Sequence, residues 1–384
     1  MHAAFDDEHL DKLFAALSSA RGVLLAVSGG PDSVALMRLV ATWAQRDWAQ
    51  RDWAQRDGAH RPPVAVFVAT VDHGLRPESR AEAEQVGVWA RDLGLPHAIL
   101  PWRGDKPTTR LQERARAARY DLLLRHARAV GADHLVTAHH ADDQAETILF
   151  RLLRGSGLAG LAGMQAATRL EEVVHLRPFL ALRKAALVDF CQACGQAFLS
   201  DPSNENPRFA RARLRRLAPL LAEEGLDTEN LLRLGRRAAR ADAALAESAA
   251  RLRASLDACR DAGSIAADLR PCAGVPEEIL LRLLEMEIAD LCPGRPLRLG
   301  RLESLTTALA AALGSGAPLR ATLAGTLLSL DGEGRLTIRR EGPRRRGRRA
   351  SGQGQSSDSQ PPAGAATGRP EAAAATAEKS ANIH

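Results

Sequence analysis

The sequence predicts an α/β protein built on a doubly wound, mostly parallel sheet, followed by a helical region and a small β-containing C-terminal unit. Three observations carry this reading. Over the first 200 residues, short β-branched runs alternate with longer helical patterns, as expected for parallel strands joined by crossover helices. The first apolar run passes directly into a glycine-containing loop and then into a helix, the junction such sheets use to bind ligands. From about Ala210 the composition shifts to Ala, Leu and Arg at helical spacing.

In chain order, strands are expected at Gly22 to Val27, Val64 to Val71, His97 to Leu100, His134 to Ala138 and Val173 to Leu176. Helices are expected at Ser33 to Ala44, Ser79 to Leu93, Leu111 to Val130 and Asp142 to Arg154, with Asp142 capping the last of these. A tandem repeat, WAQRD three times from Trp43 to Asp57, follows the first of those helices. Five residues turn an α-helix by about 140°, so the three Trp side chains share no face. The repeat therefore reads as an extended, largely solvated helix. Helical periodicity returns in Leu231 to Leu256 and Glu277 to Leu291, and a β-like unit closes the ordered region at Pro318 to Arg340, with its turn at Asp331-Gly332 and Gly334. Beyond it come RRRGRR, Arg344 to Arg349, and a Ser, Gln, Pro and Ala tract with too little apolar surface to order itself. The expected division is 1–215, 216–342 and 343–384.

A chain of 384 residues is long enough for two domains, each with its own core. Hydrophobic residues at 45% and charged residues at 26% fit a globular protein and exclude a disordered one. The longest apolar stretches are strand-sized, and the N-terminus has neither the basic start nor the apolar run of a signal peptide, so a cytoplasmic address without a membrane partner is expected. Five scattered cysteines do not make a disulfide framework, which agrees with a reducing compartment. The net charge of +6 comes almost wholly from Arg, a side chain suited to bidentate phosphate contacts; the feature admits a nucleic-acid partner without establishing one.

The chemistry concentrates in three blocks. In Leu24 to Leu36 (LLAVSGGPDSVAL), Gly29 and Gly30 let backbone N–H groups approach a phosphate, Ser28 and Ser33 add hydroxyls, and Ser33 opens the helix where its dipole favours negative charge. The loop lacks the Gly-Lys-Ser/Thr ending of a Walker A loop and the GxGxxG dinucleotide fingerprint. Thr70 to Ala83 follows the second strand at the same sheet edge, and His73 and Arg76 are candidates to line a nucleotide or RNA path. In Ala138 to Met164, Asp143 and Glu146 lie three apart on one helix face, a carboxylate pair able to grip an ammonium group or magnesium. His139, His140, Asp142 and Asp143 lack the third spaced His or the Cys that would complete a zinc set.

SGGPDS, Ser28 to Ser33, resembles the pyrophosphate loop (PP-loop) of the ATP pyrophosphatase superfamily. With TVDHGLRPESRAEA, AHHADDQAETILFRLLRGSGLAGLAGM, the Arg116-x-x-Arg119-Tyr120 pattern, RPFLALRK at Arg177 to Lys184 and DPSNENPRFARARLR at Asp201 to Arg215, the chain resembles the tRNA(Ile)-lysidine synthetases over roughly residues 20 to 220. It departs from their pattern at Ala212, where they usually carry Asn, which puts the roles of Arg211 and Arg215 in doubt.

The resemblance implies an adenine-nucleotide alpha-hydrolase-like PP-loop domain at 1–215, with tRNA recognition by 216–342. The implied reaction is a ligation. ATP activates the oxygen on carbon 2 of the wobble cytidine in the CAU-anticodon tRNA(Ile), and an amino group of free L-lysine attacks that carbon, changing codon reading from AUG to AUA. It also implies a site. Ser28, Gly29, Gly30, Pro31, Asp32 and Ser33 hold the nucleotide, Asp32 positions Mg2+ or the amine, Asp143 and Glu146 orient lysine, and Arg116 offsets charge on the adenylate. Two other readings stay open: a tRNA cytidine thiolase of the same superfamily, on the strength of Cys191-x-x-Cys194, and a non-enzymatic RNA-binding protein.

Overall fold

A computed structural model describes residues 5–54, 64–104, 106–107, 109–200 and 210–342, except for the side chains of 47–54 and 210–211. The later copies of the WAQRD repeat from residue 55, the stretch 201–209, the Arg211 side chain and the tail with its RRRGRR cluster lie outside the described residues.

The first sheet has six strands: β1 (Gly22–Ala26), β2 (Ala65–Asp72), β3 (His97–Pro101), β4 (His134–Val136), β5 (Ala167–Leu170) and β6 (Val173–Leu176). Their order is β3-β2-β1-β4-β6-β5, all parallel except β5, which pairs antiparallel with β6. The chain winds outward from β1 in one direction through β2 and β3, and in the other through β4 and β6. The seam between β1 and β4, where Leu25 pairs with Val136, is therefore the switch point at which such sheets open a crevice.

Period-two alternation divides the core. Val23 and Leu25 face one layer together with Leu36, Met37 and Val40 of α2 (Pro31–Ala54), while Leu24 faces the other with Leu123 and Ala127 of α4 (Leu111–Ala129). Helices α1 (Asp7–Phe14) and α3 (Ser79–Asp92) pack in the first layer, as do Leu187, Phe190 and Cys191 from later in the chain. Helix α2 continues through most of the repeat, longer than the sequence pattern suggested, because nothing in WAQRD breaks a helix. Its first Trp is not solvated: Trp43 is 3% exposed and tilts against the Phe14 ring at 5.9 Å. A buried Trp at the end of the apolar face of α2 anchors α1, which the sequence reading did not mark.

After β4 come α5 (Ala141–Leu152), α6 (Leu158–Leu161), α7 (Lys184–Ala193), α8 (Ala210–Glu223) and α9 (Thr228–Ser255). Helix α8 runs through position 215. Ala145, Ile148 and Leu149 of α5 form one small core with Leu214 of α8 and Leu231 of α9. The C-terminal region holds α10 (Glu277–Leu291), α11 (Leu299–Ser315) and an antiparallel sheet in the order β7-β8-β11-β10-β9, with ranges Ala258–Arg260, Ser264–Asp268, Leu319–Leu323 (β9), Thr326–Leu330 (β10) and Arg335–Arg340 (β11). The unit is larger than the two alternating runs expected at 318–340, since β8, from before α10, pairs with β11 and carries β7 on its outer edge. Buried Glu287 of α10 ties these parts together, accepting from Arg253 of α9 at 3.0 Å and from Arg260 of β7 at 2.6 Å. Among the described residues no helix is long and apolar enough to cross a membrane.

Candidate functional site

A cleft of about 1540 Å³ opens at the C-terminal edge of the first sheet. Its walls are the loops that follow β1, β2 and β4, together with the facing sides of α4 and α8.

The loop after β1 is locked from within. Ser33 Oγ donates to the Gly30 carbonyl at 2.9 Å and accepts from the Ser28 N–H at 3.1 Å. The Ser33 hydroxyl hydrogen is thus committed to the loop itself, not left for a ligand as the sequence reading had it. The helix starts earlier, with Pro31 at its first position, where a missing N–H costs nothing. Gly29 has φ +90°, and a Cβ there would sit 2.6 Å from Leu199 Cδ1, so the turn requires glycine. A Cβ on Gly30 would meet nothing closer than Ser28 Oγ at 3.9 Å; that open space is where a ligand can approach the backbone.

The loop after β4 brings carboxylates to the same place. His140, not Asp142, caps α5: its Nδ1 accepts from the Asp143 N–H at 3.3 Å, and the Asp143 carboxylate accepts from the His140 N–H at 3.2 Å. Asp142 instead accepts from the Lys184 N–H at 2.9 Å and pairs with Arg183 at 2.9 Å, which fixes the start of α7. The expectation failed because an imidazole nitrogen can accept the N3 hydrogen bond as a carboxylate does. With Nδ1 so engaged, His140 aims Nε2 at Asp32 Oδ2, 3.6 Å away, and Asp143 Oδ2, 3.4 Å away. Burial works against the imidazolium, but the nearby carboxylates of Asp32, Asp143 and Asp142 outweigh it and raise its pKa.

Asp32 and Asp143 therefore meet around one ring, although their loops are over 100 residues apart. Asp32 Oδ1 is buried without a partner among the described residues. Such an oxygen suits a hard cation that takes one protein carboxylate and fills its remaining positions with phosphate oxygens and water. Among the described residues, no group of three or more His, Cys, Asp or Glu is arranged to hold a metal by itself.

Glu146 lines the cleft one turn after Asp143, and its carboxylate takes both ends of Arg215, at 2.5 and 3.2 Å. This bidentate pair gives Arg215 a place in the site despite Ala212, which is buried at the same wall. Arg116 and Arg119 line the opposite wall from α4, with Arg116 5.0 Å from the Tyr120 ring centre. His73 and Arg76 also face the cleft; Arg76 pairs with Glu82 at 2.7 Å, and burial, then Arg119 and Lys106, hold the His73 pKa below its ordinary value. The loop after α5 is different. Arg151 donates to the Gly160 and Gly163 carbonyls, both at 2.8 Å, Arg154 stacks on Phe150, and neither lines the cleft.

Sequence reasoning did not single out Thr137 and Lys184, which line the cleft, or His175, which is buried behind it. Thr137 and His175 carry no local motif; only strand pairing of β4 with β6 brings them together. Cys191 is buried, and its thiol lies 3.6 Å from the Pro31 carbonyl. Burial, reinforced by Cys194 and Asp32, pushes that thiol up to about 11, a packing role and not a reactive one.

A family model described as a PP-loop domain matches residues 4–221. Among curated proteins, the chain is 53% identical to a tRNA(Ile)-lysidine synthase of Methylobacterium sp., covering 86% of this chain and 92% of that one. It is 51% identical to the protein of the same description from Methylobacterium nodulans, covering 86% and 93%. It is 46% identical to that of Rhodopseudomonas palustris, covering 90% and 97%.

Proposed function

The chain belongs to the PP-loop family of tRNA(Ile)-lysidine synthases, and from that premise we propose that its cleft joins free L-lysine to the wobble cytidine of the CAU-anticodon tRNA(Ile), using ATP. The observation that carries this reading is the meeting of the Ser28–Ser33 loop with the His140–Glu146 helix start at the β1/β4 switch point, where Asp32 and Asp143 flank one imidazole.

The reaction divides into two displacements. In the first, the cytidine O2 attacks the α-phosphorus of ATP and pyrophosphate leaves. The open face of Gly30, beside the Ser28 hydroxyl, holds the pyrophosphate, Gly29, Pro31 and Ser33 keep that loop in place, and Arg116 offsets charge on the adenylate. Asp32 would hold Mg2+ through its unpartnered Oδ1. When bound, the cation neutralises phosphate charge. In the second displacement a lysine amino group attacks carbon 2 and AMP leaves. Asp143 binds the ammonium form and takes the proton the amine must lose, while Glu146, held by Arg215, orients the substrate. Holding the amine and the activated base together can account for about 7 to 11 kcal/mol of the barrier, so placement outweighs any single acid or base.

Residues 1–215 carry this chemistry in the cytoplasm, and 216–342 recognise tRNA. The thiolase alternative loses its foothold in Cys191, whose thiol is buried against Pro31. To test the first displacement, protein is mixed with unmodified tRNA(Ile) and α-labelled ATP in the absence of lysine. Pyrophosphate release up to one equivalent, with label retained on the tRNA, is expected. Pyrophosphate release that ignores tRNA contradicts the proposal.

A further inference from the structure

From buried Arg177 and His175 to Thr137 and His139 on the cleft lining, four side chains form a hydrogen-bonded row that the reaction above does not use. Arg177 Nη2 is 3.0 Å from His175 Nδ1, His175 Nε2 is 2.9 Å from Thr137 Oγ1, and Thr137 Oγ1 is 2.7 Å from His139 Nδ1. Thr137, His175 and Arg177 are buried.

The direction of every bond in this row follows from one fact: a guanidinium has donors and no acceptor. Arg177 must donate, so His175 Nδ1 accepts. The His175 ring is neutral, since burial, then Arg177, Arg116 and Arg119, bring it down to about 3; its single proton is therefore on Nε2. Thr137 Oγ1 accepts that proton and has only its own hydrogen to give, which goes to His139 Nδ1. His139 is neutral for the same reasons, held at about 2 by burial, then Arg119, Arg116, Arg177 and His175. Its proton is then on Nε2. That nitrogen has no partner among the described residues, and the ring lines the cleft.

We propose that Arg177, His175 and Thr137 are positioning residues that fix His139 as an uncharged Nε2–H donor to an anionic phosphate oxygen of the bound nucleotide. Arg116 and Arg119 line the same part of the cleft, so a ligand there meets two guanidiniums and one N–H whose polarity cannot reverse. A histidine free to switch tautomer would at times offer a lone pair and repel the same oxygen. A histidine free to protonate would be opposed by the two arginines. The row removes both alternatives before the ligand arrives, which is preorganisation of the kind that electrostatic catalysis needs.

This rests on the reading that nucleotide fills the cleft, and the test separates the two. Full-length protein labelled with 15N-histidine is observed by long-range 1H–15N correlation, with His139→Asn and His175→Asn used only to assign signals. His139 and His175 are expected as neutral Nε2–H tautomers from pH 8 to pH 5, and ATP should shift His139 Nε2. Thr137→Val should release His139 into mixed tautomers and raise KM for ATP about tenfold with KM for lysine unchanged, and Thr137→Ser should restore both. A His139 that carries its proton on Nδ1, titrates near its ordinary value, or ignores ATP overturns the inference, as does a Thr137→Val enzyme with normal KM for ATP. If the tautomers and the ATP response are as expected but no lysine reaches tRNA, the inference stands and the lysine reading falls.

Discussion

Asp133 shows how far a single residue can be followed from sequence to stability. It sits at the foot of β4, on the sheet edge away from the cleft, and accepts from the Arg21 N–H at 3.1 Å, the Gly22 N–H at 3.4 Å and His134 Nδ1 at 2.8 Å. Burial pushes its carboxyl up, but the His134, Arg21 and Gly22 hydrogen bonds prevail and hold it at about 2 against an ordinary 3.8. The difference between those two values corresponds to about 2 kcal/mol in favour of the folded protein. Because the folded pKa is depressed, that contribution is complete above pH 3.8 and disappears as pH falls through about 2. Asp133→Asn should therefore lower stability at pH 7 by about 2 kcal/mol in urea unfolding, and the gap should narrow as both proteins are taken towards pH 2. A gap that persists unchanged in acid would assign the loss to something other than the carboxylate charge. At this scale the sequence displayed Asp32, Asp143 and Glu146, because acidic residues next to a glycine loop or spaced along one helix face have a readable pattern. It did not display His140 as a cap or Thr137 and His175 as a row, because those roles depend on partners brought by strand pairing.

The glycine-containing turn between β1 and α2 is the element proposed to hold the nucleotide. Gly29 combines φ +90° with a Cβ position 2.6 Å from the Leu199 side chain and 3.3 Å from Val86. Gly29→Ala should displace the turn and break the Leu199 N–H bond to the Gly29 carbonyl, now 2.8 Å, lowering ATP affinity at least tenfold in equilibrium titration. Gly30→Ala, where no atom crowds the new Cβ, should fold normally and weaken only the approach of ligand. Equal ATP binding by wild type and Gly29→Ala would show that the loop does not hold the nucleotide. The elements legible in sequence were those with long periodic patterns, such as α10, expected and found at Glu277–Leu291. Two hairpins were missed for a common reason. The β5–β6 turn is made by Glu171-Glu172, with Glu171 at φ +53°, and the β9–β10 turn by Ala324-Gly325, with Ala324 at φ +49°. Neither Glu-Glu nor Ala-Gly carries the Asn or Asp that marks a tight turn, so tertiary pairing imposed a conformation the local sequence does not favour.

At the scale of the whole molecule, the helical region and α5 of the cleft share a core. Leu231 of α9 and Leu214 of α8 pack with Ile148 of α5, two positions after Glu146, so removing everything after residue 216 would expose the underside of the site. Recognition of tRNA is better tested by charge. Arg236, Arg237 and Arg240 are exposed within little more than one turn of α9. Changing all three to Glu should leave stability near wild type and make tRNA binding less salt-dependent, reducing the slope of log K against log[salt] by about 2 to 3. An unchanged slope would place the RNA elsewhere. The doubly wound sheet and the position of its ligand edge were legible because alternating strand and helix patterns allow few arrangements, and the ordered motif blocks pointed to the family that the relatives confirm. The five-stranded C-terminal sheet was not, because the hairpin of β7 and β8 is separated by two helices from β11, the strand that β8 pairs with.

The central claim is that this cleft attaches lysine to tRNA, and the most direct measurement follows labelled L-lysine. Protein, ATP, Mg2+ and unmodified tRNA(Ile) with a CAU anticodon are incubated with the amino acid, and label in the tRNA is counted beside AMP released. Wild type should transfer one lysine per tRNA for each AMP, only when ATP is present, and Asp143→Ala should fold normally yet transfer none. ATP-dependent AMP release with no lysine in the tRNA, or near-normal transfer by Asp143→Ala, would contradict the account.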